Sequence, residues 1–441
     1  MEGPTLFQIL FFLIVAVSGI VILTVKYKIH AFFALMIACL IVGFGVRFDL
    51  ISILNTMKEG FGSIMKSLAL VIILGTTLGM LMEESGSTDT ITSFILSKVG
   101  RKHTSLAMSL AGFVVGLPIF CDSGFIVLSG LNHSLVKRTG IPMKQLAVSL
   151  ATGLYAVHCL VPPHPGATAA SSIIGADLGK LIMWGIIVAI PAMLAANLWA
   201  AYNSRTDKEA VPVPELPACP SFRNVFFAFL PLFIPILLIT LKSFLSAYLN
   251  SLFGNILNAL GDPVAALGTG VLIVLITTGK TIKSRIPNVL SEAAEKAGGI
   301  LVIIGSGGAF GAILARTHLG ELSSQALPIG SMGILFPFLI TSMLKTAQGS
   351  STVAIITASS LVMPLLQPLG LASSNGRLLC VLSMGAGSMM ISHANDAYFW
   401  VIAKFSGLNM KTMLRMYSCA TILMGVLSLL MVYLLSFFLV K

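Results

Sequence analysis

The segment His158-Cys159-Leu160-Val161-Pro162-Pro163-His164-Pro165-Gly166-Ala167-Thr168 lies inside an apolar stretch that runs from Pro142 to Ala176. Proline lacks the N–H that a helix needs and clashes with the preceding turn, so three prolines followed by a glycine forbid one continuous helix here. The backbone must open. In a hydrocarbon environment open backbone survives only where it is buried in protein or lines a water-filled cavity. A helix restarting near Ala167 would aim its positive end at that cavity, where an anion could dock. The segment therefore predicts an all-α membrane protein with broken helices.

The rest of the chain agrees with a lipid solvent. Of 441 residues, 56% are hydrophobic and 10% charged, with a mean hydropathy of +0.97, more apolar than a water-soluble core requires. Runs long enough to cross ~30 Å of hydrocarbon recur throughout, and the pattern suggests roughly ten to fourteen spans. Clear ones are Leu6 to Val25, His30 to Val46, Ser63 to Met82, Lys180 to Tyr202, Val225 to Lys242, Pro263 to Gly279, Ala297 to Ala315 and Met413 to Val440. The first has Lys26 and Lys28 after it, with no basic region before it and no small-residue cleavage site. It reads as an uncleaved helix whose far end is cytoplasmic, with the N-terminus outside.

A net charge of +11 raises the question of nucleic acid, but the cations sit in small groups between apolar runs, as in Arg101-Lys102, Lys137-Arg138 and Lys280 to Arg285. Cytoplasmic loops of a membrane protein account for them without a nucleic-acid partner. The six cysteines, Cys39, Cys121, Cys159, Cys219, Cys380 and Cys419, form no CxxC pair. They read as reduced packing residues, and neither a metal nor another cofactor is implied.

Three further apolar stretches are interrupted. Gly116-Leu117-Pro118-Ile119-Phe120-Cys121-Asp122-Ser123-Gly124 places one carboxylate in an apolar run. Asp122 must titrate, bind a cation, find a basic partner, or cap a helix at the tip of a hairpin. Thr346-Ala347-Gln348-Gly349-Ser350-Ser351-Thr352 follows the run Ile334 to Leu344 and gathers hydroxyls with one amide, groups suited to a polyol or a carboxylate, although small residues also line ordinary helix contacts. Ser392-His393-Ala394-Asn395-Asp396-Ala397-Tyr398-Phe399-Trp400 is too polar to face lipid. On a helix His393 and Asp396 would share a face and could hydrogen-bond or pass a proton. His158 and His164 could shuttle protons, bond a solute, or serve as helix-to-helix hydrogen-bond partners.

The hydrophilic, proline-rich linker at residues 203–223 separates two halves, 1–202 and 224–441. At an offset of about 232 residues Gly75 falls on Gly307, Gly79 on Gly311, Gly175 on Gly407 and Asp177 on Asn409. Counting spans from an external N-terminus makes the halves inverted repeats, with Ser63 to Met82 running inward and Ala297 to Ala315 outward. Inverted repeats with interrupted spans at matching places describe a secondary transporter whose site lies where the broken helices meet.

At these same four interruptions the chain resembles the gluconate permease family, which carries Gly-Leu-Pro before an acidic residue, His-x-Leu-Val-Pro-Pro-His-Pro-Gly, Gln-Gly-Ser-x-Thr-Val-Ala and Ser-His-x-Asn-Asp. All four occur in order across nearly the whole chain. The resemblance implies proton-coupled import of gluconate or a related sugar acid across a bacterial inner membrane, by an elevator-like motion. By the same analogy a static scaffold formed from the outer spans would support a homodimer. Two departures bear on the substrate: Asp122 stands where many members have Glu, and Ala167 where Pro often follows. The family also includes transporters of D-serine and other hydroxy acids. The expected contacts to the solute anion are His164, Gly166, Thr168, Gln348, Gly349, Ser350, Ser351, Thr352 and Asn395. Asp122, His158, His393 and Asp396 are the expected carriers of the coupling proton. An intramembrane enzyme built on Asp122 and Asp396 and a passive channel are the rivals, but no HExxH or metal-ligand spacing is present, and inverted repeats favour alternating access.

Overall fold

The computed structural model describes residues 5–99, 103–204, 220–245, 252–319, 322, 332–393 and 396–439, and among them there is no strand. Arg101-Lys102, most of the linker with Cys219, and Asn395 lie outside the described residues. In chain order the helices are α1 (Leu6–Val21), α2 (Ala31–Gly45), α3 (Leu50–Glu84), α4 (Ser87–Val99), α5 (Thr104–Gly116), α6 (Cys121–Thr139), α7 (Met143–Leu160), α8 (Pro165–Ile174) and α9 (Leu178–Tyr202). After the linker come α10 (Phe222–Leu245), α11 (Leu252–Leu260), α12 (Pro263–Ile282), α13 (Ile286–Arg316), α14 (Leu335–Gln348), α15 (Ser351–Val362), α16 (Ser374–Ser388) and α17 (Ala397–Ser406). The last, α18 (Met410–Leu439), contains one π-helical turn, Leu414–Ser418.

Local sequence sets these ends. Asp49, Asp177, Asp262, Ser373 and Asn409 each cap the following helix through a side-chain oxygen, satisfying N–H groups that have no partner within the helix. Gly175 and Gly407 close α8 and α17 in the left-handed region at φ 75° and 64°, where a Cβ would clash. The positions matched by the offset thus do matching work: a left-handed glycine, then a polar N-cap opening a long helix.

Among the described residues five helices are long and apolar enough to cross a membrane, or up to seven if two bent pairs each count as one. The stretches expected at Leu6 to Val25 and His30 to Val46 form short helices of 16 and 15 residues, and the interrupted stretches are divided by breaks into shorter pieces. α7 lies at the centre, buried throughout from Gln145 to Leu160. It crosses α5 at near-backbone contact: a Cβ on Gly112 would lie 2.5 Å from the Leu150 carbonyl oxygen, and one on Gly153 2.1 Å from that of Ser109. Asn197 of α9 joins the same place, its Oδ1 accepting from Ser105 at 2.7 Å and Ser149 at 3.0 Å, so the buried polar groups are paired rather than left costly. Phe7, Phe11, Phe233, Leu237, Leu430 and Leu434 of α1, α10 and α18 are exposed, as side chains facing lipid should be.

The longest contact is between α3 and α13. Arg285 Nη1 reaches Glu84 Oε1 at 2.5 Å at one end, and Arg316 Nη1 reaches Thr56 Oγ1 at 2.8 Å at the other, so the two helices run antiparallel. Gly60 and Gly308 let them touch: a Cβ on either would come within 2.6 to 2.7 Å of the other's carbonyl oxygen. Both helices then present glycines to the broken segments. Gly75 and Gly79 lie against Pro163 and Pro118, while Gly307 and Gly311 lie against Ile356 and Ser360 of α15.

Candidate functional site

Each of the four expected interruptions is a break. The first separates α5 from α6 at Leu117 to Phe120; the second separates α7 from α8 at Val161 to His164, with Pro165 in the first turn of α8 where its missing N–H is harmless. The third is a tight turn at Gly349 (φ 80°) and Ser350, and the fourth lies between α16 and α17, with Ile391 at φ 46°.

The breaks bring four helix N-termini to one cavity of about 400 Å³. Its wall includes Phe120, Cys121 and Asp122 at the start of α6, Pro165 at the start of α8, Ser350 to Val353 at the start of α15, and Asp396 to Tyr398 at the start of α17. Tyr155, His158, Lys296 and Gln348 complete its polar lining. The α6 and α8 ends have no side-chain cap. In α15 Ser350 Oγ accepts from Val353 N at 3.3 Å, and in α17 Asp396 Oδ1 accepts from Tyr398 N at 3.0 Å. First-turn N–H groups with their partial positive charge therefore ring the cavity, a setting for an anion.

Two polar side chains at this wall lack partners. The amide nitrogen and oxygen of Gln348 are both buried without a hydrogen bond, as is His158 Nδ1. Leaving such atoms unpaired costs about 1–3 kcal/mol each, a cost that a bound polar solute would remove. The His158 ring stacks on Tyr155 and lies 4.9 Å from the His164 ring. Asp122 is exposed and lines the cavity, and its Oδ1 accepts from the Cys121 thiol at 3.6 Å. It is not a cap, because Phe120 holds that position and Asp122 falls inside the first turn.

The remaining expected residues stand behind the wall. His164 Nε2 donates to Gly116 O at 2.6 Å, fastening the second break to the first, and Thr168 Oγ1 donates to His164 O. Gly166 allows α8 to close on α15, where a Cβ would lie 3.3 Å from Thr352 Cα. His393 Nε2 donates to Thr346 O at 3.0 Å. The expectation that His393 and Asp396 share a helical face is corrected: both precede α17, and Asp396 N bonds His393 O while their side chains go to different partners. Aspartate favours the N-cap over the helix interior, and that preference ends the break at Asp396.

Lys345 was passed over in the sequence, between the apolar run ending at Leu344 and the polar cluster beginning at Thr346. Its side chain is 0% exposed, and Nζ bonds Asp396 Oδ2 at 2.7 Å and Gly349 O at 2.5 Å. Ser392 Oγ donates to the same carboxylate oxygen. Removing one partner of such a pair strands the other and costs about 3–5 kcal/mol. A charge directly after the largely apolar run Ile334 to Leu344 was signal enough to question it. Tyr155 and Tyr398 were likewise missed; their hydroxyls are used structurally, donating to Ser388 O and Ala151 O at 3.1 Å each.

Comparison with known proteins follows the same lines. A model of the GntP family permeases matches residues 8–438. The chain is 32% identical to a gluconate permease of Pseudomonas aeruginosa over 439 residues, covering 96% of each. It is 29% identical to the Gnt-II system L-idonate transporter of Escherichia coli, covering 95% of this chain and 97% of the relative, and 30% identical to the D-serine transporter DsdX of the same species, covering 96% and 97%. In fold it is similar to the YdaH transporter of Alcanivorax borkumensis, with a TM-score of 0.62 at 16% identity over 88% of this chain and 89% of that one. Neisseria gonorrhoeae MtrF gives 0.57 at 15% identity over 87% and 83%.

Proposed function

The chain belongs to the GntP permease family, and from that premise we propose that it imports gluconate or a related sugar acid together with protons across a bacterial inner membrane. Membership makes it a multi-pass membrane transporter. The observation that carries the finer reading is the cavity itself. Four half-helix N-termini surround it, and Gln348, whose amide is buried and unpartnered, forms part of its wall. The N-termini suit a carboxylate; Gln348, Ser350, Ser351 and Thr352 suit the hydroxyls of a polyol chain. Asp122, open to the cavity and unpaired with a cation among the described residues, is the group we assign to the coupling proton. Neutralising it as the anion binds lowers the barrier to moving the loaded site.

The halves 1–202 and 224–441, with 203–223 between them, are read as inverted repeats. The antiparallel α3 and α13 pair and the matched caps support this reading. One observation favours a second substrate class: a carboxylate facing the cavity would also pair with the ammonium of a small hydroxy amino acid, and a D-serine transporter is among the relatives. Uptake of labelled gluconate into proteoliposomes under an inward proton gradient, with unlabelled idonate and D-serine as competitors, tests both. Protonophore-sensitive accumulation displaced by sugar acids supports the first. Displacement by D-serine alone supports the second, and absence of accumulation under any gradient removes proton symport.

A further inference from the structure

Two carboxylates, Asp122 and Asp396, line the cavity, and their surroundings differ. Asp396 is held by Lys345 Nζ at 2.7 Å, by Ser392 Oγ, and by Tyr398 N at 3.0 Å. The Lys345 side chain is 0% exposed and that of Asp396 7%. Among the described residues the ammonium also bonds Gly349 O and lies 6.0 Å from the face of Tyr155, and Asp396 is the carboxylate in direct contact with it, so a proton placed on Asp396 would leave a buried cation without its contact counter-charge. Other titratable groups facing Asp396 are Asp122 and Cys121 of α6, Tyr155 of α7, Tyr398 of α17 and Tyr417 of α18. Those facing Asp122 are Asp396, Cys121, Lys296 of α13, Lys345 of α14 and Tyr398. Asp122 is open to the cavity, so proton and solute can reach it through the same water.

We propose that Lys345 holds Asp396 as a fixed counter-charge, leaving Asp122 as the one cavity carboxylate that gains and loses a proton in each cycle. Lys345 is then a positioning residue that sets stoichiometry. It also ties the third break to the fourth, since one ammonium bonds Gly349 O and Asp396 together. The inference rests on the reading of the cavity as a proton-coupled anion site. One proton moving with one monoanion carries no net charge, so uptake responds to the pH gradient and ignores membrane potential. Two protons per anion would carry a net positive charge.

The test is the accumulation plateau of labelled gluconate in wild-type proteoliposomes, with the pH gradient and a potassium–valinomycin potential set independently. A plateau of about tenfold per pH unit, unchanged when the interior is made about 59 mV more negative, is the expected result. About a hundredfold per pH unit, rising roughly tenfold with that potential, would overturn the inference while leaving proton symport intact. No accumulation under either gradient would instead remove the underlying reading, and the inference with it. Lys345→Met provides a second readout. With Asp396 freed to exchange a proton, its plateau gains potential dependence, whereas a merely structural role would slow uptake and leave the plateau electroneutral. In Lys345→Met/Asp396→Asn, which removes both charges, the potential dependence is lost again; its persistence would count against the assignment.

Discussion

Gln348 has both polar atoms of its amide buried and unpaired at the cavity wall. In a membrane protein such an atom is expensive unless a ligand supplies its partner. Gln348→Leu keeps the volume and removes the donor and acceptor, so we expect the KM for a sugar acid to rise about tenfold or more, from ~1.5–3 kcal/mol of lost hydrogen bonding, with little change in the amount of folded protein. Radiolabelled uptake against concentration measures it; an unchanged KM would take Gln348 out of the solute's reach. Asp122→Asn addresses the other function. Without an exchangeable proton, gradient-driven accumulation falls to equilibration while exchange of labelled for unlabelled solute across the membrane continues. Loss of both activities would mean that Asp122 binds the solute instead. Residues of this kind were legible because a carboxylate, an amide and hydroxyls in apolar runs violate the lipid rule visibly. Lys345 violated it equally but sat at the edge of a polar cluster, and its partner Asp396 lies 51 positions away in the chain, a pairing no local spacing encodes.

Helix ends and breaks follow from residue chemistry at short range. Pro162, Pro163 and Pro165 opened the second break, and Gly349 turned the third, as their backbone restrictions require. Lengths were less legible. The span expected at Ser63 to Met82 belongs to a helix of 35 residues beginning at Leu50, and that expected at Ala297 to Ala315 to one of 31 beginning at Ile286. Hydropathy marks where hydrocarbon lies, whereas a helix continues through charged turns such as those carrying Lys58, Glu59, Glu292 and Glu295. Packing at this scale is set by small residues. Gly153→Ala would push a methyl into the Ser109 carbonyl at 2.1 Å, and we expect a loss of about 1–3 kcal/mol, seen as a lower midpoint in thermal unfolding of the detergent-solubilised protein. Gly62→Ala, with open space around its Cβ, should leave stability unchanged or raise it by up to ~1 kcal/mol through helix propensity. Equal effects of the two would mean that the α5 and α7 crossing is not close-packed.

At the scale of the molecule, the elevator-like motion that the family resemblance implies would carry the site past a part that stays still. The surface where α3 and α13 meet the broken helices has the features such a boundary needs. On the long-helix side it carries Gly75, Gly79, Gly307 and Gly311, beside apolar side chains such as Ile72 and Ile304 that pack with Ala169 and Ile356 without directional bonds. Ser360 Oγ donates across it to Gly307 O at 2.7 Å. The four glycines were found as matches between the halves, but sequence could not say that they share one boundary, because that depends on how the halves fold against each other. If the broken helices slide as a body against α3 and α13, a covalent tie across the boundary must stop them. A Cβ on Gly75 would lie 3.3 Å from Pro163 Cβ, and one on Gly311 3.4 Å from Ser360 Cβ, both close to the separation that a disulfide spans. Gly75→Cys with Pro163→Cys, or Gly311→Cys with Ser360→Cys, in a background lacking the native cysteines should transport when reduced. Each should lose net uptake on oxidation and regain it with dithiothreitol, while solute binding to the locked protein persists. Full transport by quantitatively cross-linked protein would place the moving boundary elsewhere and assign α3 and α13 to the same rigid body as the site.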